Sequence, residues 1–143
     1  KLPSERVIYI PQEIPADRSK EVLHRVGEYD SDKKGRIMSL IRRLGSDPTH
    51  VLETTVPTPG EVRKLLLAEG LLLNPSIIIM DEPTNHMDVT SIECIESALQ
   101  ECGCAQLLVS HDAAFLKNVV DRYWAFNEKS ENEYRVQEQF PEL

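Results

Sequence analysis

The sequence lacks the long apolar stretch that a membrane-spanning helix requires. No run of its apolar residues approaches the roughly 20 that cross a bilayer, and no basic-then-apolar signal opens the chain. Cysteine is also sparse, with 3 residues in 143, which is typical of a reducing, cytoplasmic compartment rather than of a disulfide-rich secreted domain. We therefore expect a cytoplasmic domain without direct membrane insertion.

Positive charge is scarce as well. The chain has 16 Lys and Arg residues against 24 Asp and Glu residues, which gives a net charge of -8. This excess of negative charge argues against a strong nucleic-acid surface or an anionic-lipid surface on the chain. The length suffices for one domain with its own core, and the first residue, Lys1 rather than Met, leads us to expect a processed or truncated product.

The residues that are present alternate between strand and helix patterns. Apolar spacing predicts strands over 7–10, 77–80 and 107–109, of which the last two are expected to be buried. It also predicts helices over 16–26, 36–44, 61–73, 89–101 and 112–120, and an antiparallel edge hairpin from 123–126 and 134–136. The segments 27–35 and 46–58 are expected to be loops. This order predicts an α/β fold with a parallel sheet and right-handed crossovers.

The apolar run Ile77–Met80 ends in two adjacent acids, Asp81 and Glu82. A short β-branched run between prolines predicts a strand buried in a parallel sheet, and ligands bind at the carboxyl ends of such strands. Two neighbouring carboxylates are costly there unless a cation compensates them, and Mg²⁺ prefers oxygen ligands. A strand that ends in solvated acids is an equally good interpretation of this stretch alone.

Two further stretches carry polar groups at element ends. His111 follows the next predicted strand, where an imidazole can hydrogen-bond a phosphate oxygen or an attacking water, or can simply cap the following helix. Thr58 and Glu61 have the spacing of a capping box, with Pro59 at the first helical position and Gly60 after it. A helix that begins there favours an anion, although an ordinary cap that binds nothing has the same pattern.

Together these residues resemble the nucleotide-binding cassette of the ABC ATPases. Asp81-Glu82 is similar to the end of the Walker B strand, Asn85–Asp88 to the D-loop, and His111 to the switch histidine. Tyr9–Glu13 resembles the Q-loop, with Gln12 as its glutamine, and Thr58–Glu61 stands where the family has its LSGGQ-type signature. The order and spacing of these motifs agree over roughly residues 8–126.

The resemblance also implies a domain organisation. It predicts a partial P-loop NTPase core of parallel strands with an inserted helical lobe, so that residues 1–143 form a partial cassette. The helical signature lobe is expected over 16–75, the Walker B to switch-histidine core over 76–128, and a C-terminal edge hairpin or tail over 129–143. The string from Asp81 to Asp88, with Ser110-His111-Asp112, is most similar to the ABC-F branch of soluble twin-cassette proteins, many of which act on ribosomes.

The roles that the resemblance implies use ATP and Mg²⁺ as cofactors. Asp81 would hold Mg²⁺, Gln12 would sense the metal and the γ-phosphate, Glu82 would be the general base, and His111 would contact the γ-phosphate. Asp88 would cross the interface to a second cassette, within the same chain or in a homodimer. The helix that carries Thr58, Gly60 and Glu61 would offer backbone N–H groups to the nucleotide of that second cassette. A ribosome would be reached through the rest of the protein.

The chain departs from the family pattern in two places. None of its six glycines is followed by Lys, so the phosphate-binding loop, G-x-x-x-x-G-K followed by Ser or Thr, is missing. We therefore expect the C-terminal part of a cassette, which alone binds ATP weakly or not at all. In addition, Pro59 replaces a signature glycine and removes one N–H donor, a loss that costs on the order of 2.7–4 kcal/mol in a transition state.

Two other functions fit these departures. The missing phosphate loop and Pro59 favour a non-catalytic interaction module that keeps the cassette fold, whereas Asp81, Glu82, Gln12 and His111 together favour an ATPase. The ATP-binding subunit of an ABC transporter is the other alternative, and the Asn85–Asp88 string is less typical of that branch.

Overall fold

The structure, a computed structural model, describes residues 6–54, 56–130 and 133–139. Within these ranges four consecutive helices follow the first strand, strands and helices then alternate, and two strands come last. The elements are β1 (Val7–Ile10), α1 (Ala16–Gly27), α2 (Ser31–Arg43), α3 (Pro48–Glu53), α4 (Pro59–Leu72), β2 (Ile77–Asp81), α5 (Val89–Glu101), β3 (Ala105–Val109), α6 (Ala113–Val119), β4 (Tyr123–Ser130) and β5 (Glu133–Gln139).

The first unit of the structure, residues 1–111, is built on a three-stranded parallel sheet with the order β1-β2-β3. The register pairs Ile10 with Met80 and Asp81 with Val109, so the carboxyl ends of the three strands meet at one edge. The α/β prediction with a parallel sheet is confirmed. The predicted site residues Gln12, Glu82 and His111 follow these three strand ends in the sequence. Ligands bind at this kind of sheet edge.

One face of this sheet forms the core. Ile8, Ile10, Ile78 and Met80 are buried, and together they alternate with half-buried or exposed neighbours along β1 and β2. Our prediction that the strand over 107–109 is buried was wrong, since Val109 is 53% exposed and Leu107 is 44% exposed. Within the described residues β3 is an edge strand, and its apolar side chains remain partly or fully exposed to solvent.

The helix predicted over 36–44 is present as α2 but begins five residues earlier, and α3 was missed, because both start at local caps rather than with apolar periodicity. Helix α2 begins at Ser31, where the Asp30 side chain accepts a hydrogen bond from the Lys33 N–H. Helix α3 begins at Pro48 with Asp47 as its cap, inside the segment that we expected to be a loop. Asp as N-cap and Pro at the first helical position are both recognised starts of helices.

Helix α4 lies at the centre of this unit. Every residue from Val62 to Gly70 is buried, which includes the charged side chains of Arg63, Lys64 and Glu69. Near its end, Gly70 faces Ile8 so closely that an added Cβ would lie 2.2 Å from Ile8 Cδ1. The polar groups of a helix that is buried all round need partners. Arg63 donates to the carbonyls of Gln12 and Asn85. Glu69 accepts from Arg25 and Tyr29.

The second unit, residues 112–143, contains α6 and a hairpin. Strands β4 and β5 pair antiparallel, with Phe126 opposite Val136. The predicted hairpin is present, but within the described residues it forms a two-stranded sheet of its own and not an edge of the parallel sheet. No helix in the described part of the chain is long and apolar enough to cross a membrane.

Candidate functional site

The backbone of Glu82 departs from the strand that precedes it. Its φ is 48°, in the left-handed region that residues other than glycine seldom adopt. The Glu82 N–H donates to the Val109 carbonyl at 2.8 Å, and the Glu82 carbonyl accepts from the Asn85 N–H at 3.2 Å. Strained backbone of this kind persists where neighbours hold it, and it is concentrated at functional sites.

The Glu82 side chain lies against His111. Glu82 Oε1 is 3.3 Å from His111 Nε2, and the exposed fractions of the two side chains are 9% for Glu82 and 98% for His111. The parallel register explains this contact, because His111 follows β3 just as Glu82 follows β2. The structure thus brings together two residues that the sequence placed at one sheet edge.

Asp81 and Gln12 also belong to that edge, Asp81 as the last residue of β2 and Gln12 in the loop after β1. Asp81 is half-buried at the last residue of β2, and no hydrogen bond or ion pair occupies its carboxylate in the described part of the chain. Gln12 is exposed two residues after β1. No group of three or more His, Cys, Asp or Glu side chains gathers in the described residues to hold a metal unaided. One free carboxylate fits Mg²⁺ when phosphate oxygens supply other ligands.

The turn that follows Glu82 runs to the start of α5. The Met87 N–H donates to the Thr84 carbonyl at 3.3 Å, and His86 between them has a φ of 61°. Asp88 caps α5, since its carboxylate accepts from the Ser91 N–H and the Ser91 hydroxyl, each at 2.8 Å. These two hydrogen bonds lower the pKa of Asp88 below its ordinary value. Asp88 is exposed but committed to the cap.

The N-terminus of α4 adopts the predicted capping box. Thr58 Oγ1 accepts from the Glu61 N–H at 3.3 Å, and a Glu61 oxygen accepts from the Thr58 N–H at 2.7 Å. Desolvation alone would raise the pKa of Glu61, but the Thr58 bonds and the His50 contact at 2.9 Å bring it below its ordinary value. The capping box thus uses both the carboxylate and the N–H of Glu61.

The capping box lies beside the turn. A Cβ added to Gly60 would be 3.5 Å from the His86 carbonyl oxygen, an ordinary contact. The structure therefore places Gly60 near the Asn85–Asp88 segment of the same chain. Among the described residues no hydrogen bond or ion pair joins Thr58 or Glu61 to Asp81, Glu82 or His111, so the predicted residues form two neighbouring groups.

Sequence reasoning missed two residues that join these groups. Arg63 donates to the carbonyls of Gln12 and Asn85, and Lys64 donates to Ser91 Oγ at 2.7 Å and Ser46 Oγ at 2.9 Å. Burial lowers the pKa of both side chains. The available signal was a pair of adjacent cations inside a run of apolar helical residues, where a charge requires a partner.

Comparison with known proteins places these motifs in a family, although no family model matches the chain. An ATP-binding protein Uup from Caulobacter vibrioides is 32% identical over 130 residues, which cover 89% of this chain and 20% of that protein. Elongation factor 3 from Zygosaccharomyces rouxii is 32% identical over 116 residues, 80% of this chain and 11% of that protein. The chain thus spans a fifth or less of these two relatives.

Solved structures share the fold. An ATP-binding subunit of an ABC transporter superposes with a TM-score of 0.60 at 22% identity, over 84% of this chain and 54% of that one. A model of ribosome-bound archaeal Pelota and ABCE1 gives a TM-score of 0.65 at 22% identity, over 94% of this chain and 24% of that chain. With the motif order at the sheet edge, the sequence relatives and this fold, the chain belongs to the nucleotide-binding cassettes of the ABC ATPases, of which it forms a part.

Proposed function

We propose that the chain is the carboxylate and signature portion of an ABC-F-like ATPase, which binds and hydrolyses Mg-ATP as part of a longer cytoplasmic protein. The observation that carries the proposal is the contact between the buried Glu82 carboxylate and the exposed His111 imidazole at the carboxyl edge of the sheet. In this proposal residues 16–75 are the signature lobe and 76–128 the carboxylate core.

Glu82 is suited to act as general base. Its carboxylate has 9% side-chain exposure, faces the edge where parallel strands bind ligands, and is held by a backbone that Val109 and Asn85 fix. A base positioned in this way contributes roughly 10²–10⁴-fold to a hydrolysis rate. His111 lies at the rim, where its imidazole can reach both the Glu82 carboxylate and a phosphate oxygen of the substrate.

Asp81 and Gln12 are the residues that would hold Mg²⁺. Asp81 supplies a carboxylate with no competing partner in the described residues, and Gln12 supplies a side-chain oxygen from the loop after β1. Mg²⁺ would neutralise the charge that develops on the phosphate oxygens during transfer. The nucleotide would supply further oxygen ligands beside Asp81 and Gln12, because Mg²⁺ prefers oxygen and is often bound by carboxylates together with phosphates.

A second cassette, from the same protein or a second copy, completes the proposed site. This chain contains no phosphate-binding loop, so its α4 N-terminus would serve a nucleotide whose phosphates another cassette segment holds. The Gly60 N–H is the first-turn donor in that arrangement, because Pro59 has no N–H and the N–H groups of Glu61 and Val62 donate to Thr58. Asp88 is exposed at the end of the neighbouring turn.

The cellular target that the proposal favours is the ribosome. An elongation factor is among the sequence relatives, and a ribosome-bound ABCE1 is among the structural neighbours. The string from Asp81 to Asp88 supports the ABC-F branch rather than a transporter subunit. Because the net charge of this chain is -8, the ribosomal RNA contacts are assigned to other parts of the longer protein.

The deciding experiment compares Mg-ATP binding and hydrolysis by the full-length protein with the same measurements on a Glu82→Gln variant. We expect hydrolysis in the unaltered protein, and a loss of at least about 100-fold in Glu82→Gln with binding retained, because the amide cannot accept the proton. Calorimetry on the 143-residue chain alone is expected to detect no Mg-ATP binding. Equal turnover in both full-length proteins would refute the role of Glu82.

A non-catalytic interaction module is the second candidate, and Pro59 is the observation that favours it. Proline occupies the first position of α4 and offers no N–H to a phosphate. ATP binding without hydrolysis in the full-length protein, together with no change in Glu82→Gln, would support this candidate over the ATPase.

A further inference from the structure

The guanidinium of Arg63 connects three segments that lie far apart in the sequence. Arg63 Nη1 donates to the Asn85 carbonyl at 2.7 Å, and Arg63 Nη2 donates to the Gln12 carbonyl at 2.8 Å. These partners are 22 and 51 positions away along the chain. Arg63 itself is 1% exposed on α4, whereas its partner Asn85 is half-buried and its partner Gln12 is exposed.

An arginine at this position is not explained by stability. A buried guanidinium loses its hydration, and its Nε has no hydrogen-bond partner among the described residues. Well-packed apolar residues often replace a buried charge without loss of stability, and sometimes with a gain. What an apolar side chain cannot do is hold two carbonyl groups at a fixed separation, which the planar fork of arginine does.

The two carbonyls belong to the loops that carry the proposed chemistry. Gln12 is the residue that would reach the metal and the γ-phosphate. Asn85 closes the turn that begins at Glu82, since the Asn85 N–H donates to the Glu82 carbonyl at 3.2 Å. A displacement of either loop therefore changes the distance between Gln12 and the Glu82 carboxylate.

The next residue of α4 holds the other end of the same turn. Lys64 Nζ donates to Ser91 Oγ at 2.7 Å, and Ser91 Oγ donates to Asp88 Oδ2 at 2.8 Å. Consecutive residues of one helix thus fix the turn near Asn85 and near Asp88. Arg63 and Lys64 both belong to the helix that begins at the Thr58 capping box. Their hydrogen bonds therefore link the orientation of this helix to the Gln12 loop and to the Glu82 turn.

We propose that Arg63 is a positioning residue, which sets the Gln12 loop and the Glu82 turn relative to each other and to the N-terminus of α4. The inference rests on the proposed ATPase function and adds a physical link between the signature helix and the hydrolytic residues. Arg63 contacts neither substrate nor metal in this role. Misplacing a reacting group by about 1 Å can cost 10²-fold in rate, which is the size of effect that such a link controls.

The test uses Arg63→Met and Arg63→Lys in the full-length protein, with Arg25→Met as the matched control. Arg25 also tethers α4, through Glu69, but it touches neither site loop. We expect Arg63→Met to lower kcat about 10- to 100-fold with little change in KM for Mg-ATP, as for other outer positioning groups. Arg63→Lys should recover part of kcat, because one ammonium reaches one carbonyl. Arg25→Met should lower the unfolding midpoint and leave kcat within about twofold.

Hydrogen exchange provides a readout that does not depend on turnover. In the 143-residue chain, Arg63→Met should speed exchange of the Asn85 and Met87 amides relative to Arg25→Met, because the turn loses its anchor. Unchanged exchange at these amides would overturn the inference, and so would a kcat loss no larger than that of Arg25→Met. If the unaltered full-length protein shows no hydrolysis, the proposed function fails, and the exchange result alone decides the role of Arg63.

Discussion

The His111 imidazole Nε2 lies 3.3 Å from Glu82 Oε1, which joins the ends of two adjacent parallel strands at the surface of the molecule. The contact pairs a nearly inaccessible carboxylate with a fully accessible ring. The imidazole of His111 is therefore open to solvent, whereas the Glu82 carboxylate is shielded from it.

The first prediction concerns this contact. His111→Ala in the full-length protein should reduce Mg-ATP turnover by roughly 100-fold or more, because the sheet edge loses the imidazole that contacts Glu82 and proton-transfer groups contribute about 10²–10⁴-fold. Nucleotide binding should change little. His24→Ala, at an exposed histidine of α1, is the control and should leave turnover unaltered. Equal turnover in the two variants would remove His111 from the mechanism.

Pro59 leads to a second prediction. Pro59→Gly restores an N–H at the first turn of α4, where an oxyanion donor is worth on the order of 10²–10³-fold. We expect the full-length Pro59→Gly protein to hydrolyse Mg-ATP at least about tenfold faster, at a cost of about 0.4–1 kcal/mol in stability from the freer backbone. Single-turnover kinetics would measure the rate.

The control for Pro59→Gly is Pro48→Gly, at the first position of α3. It frees the backbone of a helix start in the same way, but it lies outside the proposed site. A rise in rate for both variants would point to general loosening of the lobe, and no rise for Pro59→Gly would show that the missing donor does not limit hydrolysis.

How much of this site the sequence predicts depends on the range of each interaction. Asp81, Glu82 and His111 were predicted together because strand ends and a parallel register follow from local apolar patterns. The left-handed backbone of Glu82 was not predicted, because it is held by a hydrogen bond to the Val109 carbonyl, which belongs to the neighbouring strand. Arg63 was not either, because its partners lie 22 and 51 residues away and are backbone atoms without a residue-specific signal.

The fold shows the same division. Helices α2 and α3 begin at caps built from adjacent residues, so closer attention to Asp30, Asp47 and Pro48 would have found the true start of α2 and the whole of α3. The exposure of Leu107 and Val109 could not be predicted from local residues, because a buried strand and an uncovered edge strand have the same apolar composition. What covers a strand is decided by tertiary neighbours, not by its own residues.

A third prediction follows from the ion pair between α1 and α4. Arg25 Nε and Nη2 donate to the two Glu69 oxygens at 2.8 and 2.7 Å, and the Tyr29 hydroxyl also donates to Glu69 Oε1. Desolvation alone would raise the pKa of Glu69, but these hydrogen bonds and the Arg25 charge bring it below its ordinary value. A lowered pKa in the folded state means that the folded protein binds fewer protons than the unfolded chain.

The stabilisation by Glu69 is therefore complete above the pKa of an unfolded glutamate, about 4.3, and it is lost as the pH falls through the folded value. Urea unfolding should show Glu69→Gln about 1.5–3 kcal/mol less stable at pH 7, and the difference should shrink toward pH 3. Glu101→Gln breaks the exposed pair with Arg43 and should cost about 0–1 kcal/mol. A difference for Glu69→Gln that is constant with pH would contradict the electrostatic origin.

The last prediction concerns the close approach of α4 to β1. A Cβ at Gly70 would lie 2.2 Å from Ile8 Cδ1, 2.7 Å from Cγ1 and 3.1 Å from Cγ2. Because Ile8 is branched at Cβ, no single rotation clears all three atoms, and Ile8 is buried at 7% exposure. Overpacking costs about 1–3 kcal/mol, against a gain of about 1 kcal/mol when alanine replaces a helical glycine.

We therefore expect Gly70→Ala to destabilise the chain, measured as a lower urea midpoint with an unchanged m-value. Gly35→Ala in α2 is the matched control, since its added Cβ meets nothing within 4 Å, and it should stabilise by up to about 1 kcal/mol. Adding Ile8→Val to Gly70→Ala removes Cδ1, the nearest atom, and should recover part of the loss. Gly70→Ala as stable as Gly35→Ala would show that the Ile8 side chain can move aside, and would contradict a tight, fixed contact between α4 and β1.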